Sequence, residues 1–200
     1  ARHLATQSRF NGTLNLIFQP AEEGQGGARR MMDDGLFEKY PCDAIFAMHN
    51  MPGHPQGRLL FRDGATMASS DNVTITLEGT GGHGAMPHRA ADPVVAGSAI
   101  VMGLQSIVAR NIDPLHMAVI TVGAFHAGAA NNVIAQSATL KLSVRALDGG
   151  VRDTLERRIT ELAHGQAQSL GVTARVDYQR SYPVLVNTPA ETEFARQVAL

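Results

Sequence analysis

Apolar and polar positions follow one another in two different rhythms along this chain. Between residues 12 and 50 they come in blocks. "GTLNLIFQP" (12–20) and "CDAIFAMHN" (42–50) are short apolar runs closed by polar residues, and "GGARRMMDDGLF" (26–37) between them opens on glycines and breaks at Gly35. Uninterrupted apolar runs of this length fit strands buried on both faces. A strand, a helix and a strand in succession therefore predict a parallel pair in an α/β sheet, with polar residues gathered at the carboxyl ends of the strands. After residue 70 the rhythm changes. "NVTITLEG" (72–79) alternates with period two, and "DPVVAGSAIVMGLQSIVAR" (92–110) has the helical period, with Asp92 as cap and Pro93 in the first turn. "HMAVITVGAF" (116–125) and "ATLKLSVRAL" (138–147) read as strands, "GVRDTLERRITELAHGQAQSL" (150–170) as an amphipathic helix, and "VTARVDYQRSYP" (172–183) as a last strand. The order β-α-β-β-α-β is the ferredoxin-like split arrangement. It predicts an α/β chain in which residues 70–182 form a domain of their own. Residues 1–69 and 183–200 are too few to close a core and read as two pieces of one partial α/β domain, into which the second is inserted.

Composition narrows the function classes. The chain has 200 residues, 44% hydrophobic and 18% charged, an ordinary globular balance that argues against disorder. Seventeen Lys and Arg against eighteen Asp and Glu give a net charge of -1 with no basic face, which sets nucleic acid aside as a partner. The single Cys42 excludes an internal disulfide and a cysteine-based zinc ribbon, and fits a reducing, cytoplasmic setting. No signal-like segment or apolar run of about 18 residues stands out, so no membrane partner is expected. The opening "ARHLATQSRF" and the closing "EFARQVAL" read as parts of helices cut short, which suggests a piece of a longer chain.

Candidate chemistry lies where the pattern breaks. Glu22 and Glu23 follow Pro20 in extended backbone, so one acid can reach a metal while its neighbour addresses a water; two solvated acids on a loop are the plainer reading. His49 closes the second apolar run, where an imidazole could share a metal with Glu23 or simply be hydrogen-bonded at a strand end. In "GTGGHGAMPH" (79–88), Gly79, Gly81 and Gly84 match a dinucleotide fingerprint, but no helix follows directly and no acid ends a second strand, so a nucleotide site is not expected. Glycine around His83 instead leaves an imidazole at a loop tip, where it could donate to an oxyanion. Asn132, at a loop-to-strand junction, can bond a carbonyl, and Arg145, late in the next strand, can hold a carboxylate; a turn residue and a solvated arginine are the alternatives.

Taken together, "QPAEEG", "MHN", "GGHGAMPH", "NNVI" and the inserted domain resemble the M20 metallopeptidase family, in its aminoacylase, hippurate hydrolase and auxin-conjugate (IAA-amino acid) hydrolase branch. The resemblance implies a zinc-exopeptidase-like catalytic domain holding two divalent metals (zinc, manganese or cobalt). It also implies an inserted lid that makes a homodimer, and an N-acyl amino acid as the small-molecule substrate. By that likeness Glu22 matches the general base, Glu23 and His49 match metal ligands, and His83 matches the lid histidine that reaches the partner subunit's site to polarise the scissile carbonyl. Asn132 and Arg145 match the lid's substrate-binding positions. The family's earlier ligand motif would precede residue 1 and its last ligand histidine would follow residue 200, so this chain alone is expected to bind metal weakly and to hydrolyse nothing. Ala135 stands where the family usually has Pro, which loosens the loop carrying Asn132. A reading of another class is a non-catalytic dimerising or ligand-binding module built on the ferredoxin-like domain.

Overall fold

The computed structural model describes residues 6 and 10–199. The chain divides into two compact units, Ala1–Arg58 and Leu59–Leu200. In the first, the glycine-led segment forms α1 (Gly27–Asp33), and the left-handed Gly35 (φ 84°) separates it from a single turn, α2 (Leu36–Lys39). The two apolar runs, 12–20 and 42–50, do not become the expected parallel strands: neither joins a ladder among the described residues. A strand exists by virtue of the neighbour that takes its N–H and C=O groups, and among the described residues no strand pairs with either run. Their side chains are correspondingly open, with Phe18 84% and Met48 85% exposed.

The second unit realises the alternating pattern closely. Its elements are β1 (Gly64–Met67), β2 (Asp71–Glu78), β3 (Gly82–His83), a 3-10 turn (Pro87–Arg89), α3 (Pro93–Asn111), β4 (Ala118–Ala127) and β5 (Val133–Ile134), followed by β6 (Ser137–Ala146), α4 (Gly149–Ser169), β7 (Thr173–Arg180), β8 (Leu185–Asn187) and α5 (Pro189–Val198). β4, β6, β2 and β7 lie side by side in that order, antiparallel throughout. Register places Val73, Ile75 and Leu77 of β2 opposite Leu142, Leu140 and Ala138 of β6, so one face of the sheet is continuously apolar. Against it pack Ile100, Leu104 and Ile107 of α3 and Leu155 and Ile159 of α4, all fully buried. Each such side chain contributes about 1.5–3 kcal/mol by leaving water.

Local signals agree with this packing. Asp92 caps α3 by accepting from the Val94 N–H at 2.8 Å, and Asp148 caps α4 by accepting from the Val151 N–H at 2.9 Å. A β-carbon at Gly97 would meet the Phe125 ring at 2.5 Å, so glycine lets α3 press onto β4. By length and composition alone α3 would suit a membrane, but its buried stripe of Ile100, Leu104 and Ile107 accounts for that apolar content as core.

The core also holds an ion pair that the pattern does not announce. Asp71, at the start of β2, is fully buried. It accepts from the Arg152 Nε at 3.0 and 3.2 Å and from a second guanidinium nitrogen, from the Tyr178 hydroxyl at 3.0 Å, and from the Ser181 N–H at 3.3 Å. The carboxylate raises the Arg152 pKa, and burial together with the carboxylate pushes the Tyr178 phenol well above its ordinary range. Beside it the incoming and outgoing segments are tied together. The Ser69 N–H donates to the Ala146 carbonyl at 2.8 Å, and the Ser181 N–H donates to the Ser70 carbonyl at 3.1 Å. β1 and β8 continue this tie as an antiparallel ribbon with an irregularity between Ala65 and Met67.

Candidate active site

Glu22 and Glu23 sit on a loop whose backbone is unusually determined. Ala21 adopts φ 49°, a left-handed conformation that costs an alanine about 1–2 kcal/mol, immediately before the two acids. Gly24 and Gly26 are left-handed as well (φ 83° and 71°), and the Gly24 N–H donates to the Glu22 carbonyl at 2.9 Å. The loop closes where the buried Gly27 meets Pro20: a β-carbon at residue 27 would lie 1.7 Å from the Pro20 carbonyl oxygen. The turn from Pro20 to Gly27 therefore presents both carboxylates outward, exposed and free of hydrogen bonds from other described residues.

His49 shows which of its nitrogens is available. Its Nδ1 lies 2.6 Å from the Asn50 carbonyl, which can only accept, so Nδ1 carries a proton and in the neutral ring Nε2 keeps its lone pair. A backbone carbonyl holding one imidazole nitrogen is the usual support of a metal-binding histidine. A carboxylate and an imidazole are suitable donors for a divalent ion. Among the described residues, however, no three His, Cys, Asp or Glu side chains gather into a metal-holding group.

In the second unit the structure brings His83 and Asn132 together, although 48 positions separate them in sequence. β3 and β5 pair antiparallel, Gly82 with Ile134 and His83 with Val133, extending the β2–β6 ladder beyond the end of the sheet. The Gly84 N–H donates to the Asn132 carbonyl at 2.7 Å, and a β-carbon on Gly84 would crowd the Asn132 backbone at 2.9–3.2 Å. His83 takes the opposite tautomer to His49. The Ala85 N–H donates to its Nδ1 at 3.1 Å, so the neutral ring carries its proton on Nε2 and presents it to solvent. This is the arrangement a donor to a developing oxyanion needs. Gly81 and Gly84 serve the approach of β3 to β5; no helix opens at Gly84, and the first turn after it is the Pro87–Arg89 3-10 turn.

Arg145 is elsewhere. It lies near the far end of β6, opposite Val119 and beside Val144, which pairs with Asp71. Eight strand steps separate it from Ser137, at the end nearer His83, or roughly 27 Å at about 3.4 Å per residue. Its guanidinium is exposed and without an ion-pair partner among the described residues. Sequence order alone did not reveal the Pro20–Gly27 closure, the strained Ala21 or the buried Asp71–Arg152 pair. The run "GQGG" was the available signal for the first.

The model of peptidase family M20/M25/M40 matches residues 1–200. A hippurate hydrolase of Campylobacter jejuni is 47% identical over 199 residues, covering 100% of this chain and 52% of that protein. An N-acetyldiaminopimelate deacetylase of Geobacillus thermodenitrificans is 43% identical over 182 residues, covering 90% and 48%. The chain thus spans about half the length of these relatives. Among solved structures, a protein of methicillin-resistant Staphylococcus aureus superposes with a TM-score of 0.82 at 34% identity, over 90% of this chain and 48% of that one. The Bacillus subtilis YXEP protein, described as a dinuclear metal binding peptidase of the M20 family, gives 0.71 at 29% identity, over 92% and 45%.

Proposed function

Because the chain belongs to peptidase family M20/M25/M40, we propose that it forms part of a metal-dependent amidohydrolase that splits N-acyl amino acids, hippurate among them, into a carboxylic acid and an amino acid. The observation that supports this reading is the pair of opposite histidine ring orientations: His49 with Nδ1 held by a carbonyl, which leaves Nε2 its lone pair in the neutral ring, and His83 with Nδ1 accepting, which leaves Nε2–H free. One ring is ready to bind a cation and the other to donate to an anion. The hippurate hydrolase and deacetylase relatives support the same reaction class.

In this mechanism Glu23 and His49 would contribute to holding divalent metal, for which zinc, manganese and cobalt all suit such donors; the dinuclear metal binding described for the YXEP neighbour supports a metal site of this kind. When bound, divalent metal would supply Lewis acidity toward water and the scissile carbonyl. Glu22 is the carboxylate that would accept a proton from the attacking water and return it to the leaving nitrogen. His83 donates its Nε2–H to the oxygen that gathers charge, Asn132 bonds the same part of the substrate, and Arg145 grips the carboxylate of the amino-acid half. Residues 70–182 act as a ferredoxin-like lid inserted between residues 1–69 and 183–200 of the catalytic domain.

The separation of His83 from Arg145 within one lid exceeds the length of such a substrate, so a single lid cannot offer both to one molecule. Two copies can. His83 and Asn132 of one copy then serve the site whose Arg145 belongs to the other. The unpaired edge of β4 and the exposed Val95 and Met102 on the adjacent α3 support a homodimer built on this side. The test is metal analysis and hydrolysis of N-benzoyl and N-acetyl amino acids by the complete open reading frame, with this 200-residue chain measured in parallel. The complete protein is expected to hold metal and turn over the amides, and this chain to bind metal weakly and hydrolyse nothing; a metal-free complete protein, or one inert toward all such amides, would overturn the reading.

A further inference from the structure

Ser69 is fully buried, lies between β1 and β2, and has no part in the chemistry above. Its bonds lead to the end of β6. Carrying the β2–β6 register two steps past the Asp71–Val144 pair sets Ser69 opposite Ala146. Residues bonded in this way across an antiparallel ladder exchange two main-chain bonds. Here the Ser69 N–H donates to the Ala146 carbonyl at 2.8 Å, but the return bond, from the Ala146 N–H, goes to the Ser69 hydroxyl at 3.1 Å. The side chain stands in for a main-chain carbonyl just where the incoming chain passes from β1 into the sheet. On its other flank Ala146 pairs with Ala118 of β4, so the last residue of β6 is held from both sides.

We propose that Ser69 is a positioning residue for Arg145: its hydroxyl fixes the strand end from which that guanidinium meets the carboxylate of the amino-acid half. The inference rests on the role given to Arg145 above. Arg145 is the penultimate residue of β6, between the buried Val144 and Ala146, so strand alternation turns its side chain to the face opposite the core. Its register neighbours are Val119 of β4 and, one step past the Asp71–Val144 pair, Ser70. Neither is charged, so no acid stands beside Arg145 in the register to occupy the guanidinium. A long side chain on a strand end inherits any fraying of that end, and the last ladder bond is the one that resists it. Without the hydroxyl the Ala146 N–H loses its acceptor in a buried place, and the strand end loosens. Affinity for a carboxylate then falls, while proton transfer at Glu22 is untouched.

A split between charged and neutral ligands tests this. In the complete protein, Ser69→Ala is expected to raise KM for N-benzoylglycine about fivefold or more with kcat within about twofold. N-benzoylglycinamide, which lacks the carboxylate, serves as a competitor, and its inhibition constant is expected to stay within about twofold. Hydrogen exchange at the Ala146 amide is expected to quicken. A folded variant that weakens both ligands alike, or neither, or leaves that amide as slow as before, overturns the inference. Should Ser69→Ala fail to fold, Ser69→Cys, whose sulfur is a weak acceptor, takes its place under the same criteria. Arg145→Ala separates the inference from its premise. An unchanged KM in Arg145→Ala removes the grip assigned to Arg145 and this inference with it. A KM raised by Arg145→Ala but not by the Ser69 variant overturns the role of Ser69 alone. A wild-type protein inert toward N-benzoylglycine and other N-acyl amino acids overturns the amidohydrolase reading as well.

Discussion

The two units of this chain handle apolar side chains in opposite ways. In Leu59–Leu200 the alternating strands find one another, and Ile75, Leu77, Leu104, Leu140 and Leu155 are fully enclosed between a sheet and two helices. In Ala1–Arg58 equally apolar runs stay open. Leu14, Leu16 and Phe18 stand about half or more exposed around a cavity of about 330 Å³ that they share with Met31, Leu36 and Tyr40. Hydrophobicity is the same in both; what differs is whether the hydrogen-bonding partner of each strand is present. The lesson is that an apolar run has a burial preference and no structure of its own, and that antiparallel neighbours joined in sequence secure each other where isolated parallel strands cannot.

Four measurements would break or sharpen this contrast. The largest effect belongs to the less packed unit. Glu22→Gln in the complete protein is expected to lower kcat by about 10²–10⁴-fold with metal content and thermal midpoint unchanged. Activity retained within a few-fold would remove Glu22 from its role as base. Next, Asp71→Ala strands Arg152 in the core of the second unit and is expected to lower its unfolding free energy by about 3–5 kcal/mol in urea titrations of this chain. A loss near zero would mean that the buried pair is not structural.

A smaller effect concerns pH. Burial and Asp71 raise the Tyr178 pKa in the folded state above its unfolded value of 10.0. The folded state therefore favours the protonated phenol, so this stabilisation is complete below pH 10 and is lost as pH rises toward the folded pKa. Stability curves of Tyr178→Phe and the parent chain should converge only in the alkaline range. A difference that disappears on acidification instead would reverse the assignment. The smallest effect is Phe18→Ser, expected within about 0.5 kcal/mol of the parent in this chain because the ring is already in water. A cost of several kcal/mol would show that Phe18 is enclosed and that the contrast between the units is false.

The second unit was legible because its signals agree at every level. Period-two runs mark β2 and β6, Asp92 with Pro93 marks the start of α3, and each observed boundary falls within a few residues of the sequence pattern. The short ribbons β1–β8 and β3–β5 were not legible, since two- to four-residue strands carry no period. For the same reason the meeting of His83 with Asn132 emerges only from the register. The residue types of the candidate site were visible one by one, at Glu22, Glu23, His49, His83, Asn132 and Arg145. Their grouping was not, because His83 stands on the separate β3–β5 ribbon while Arg145 lies near the far end of β6 in the four-stranded sheet. The sequence also could not show that 12–20 and 42–50 would lack strand partners, since an apolar run looks the same paired or alone.

The contact between Gly27 and the Pro20 carbonyl bears on how this protein tolerates change. Residue 27 carries no functional group and lies outside the acid pair, yet it is a position where the smallest possible addition, one methyl group, has nowhere to go. A survey of substitutions scored by activity would find an intolerant site at a residue with no chemistry. The cause would be an opened loop and two misplaced carboxylates, so that a single hydrogen in place of a methyl decides where both acids point.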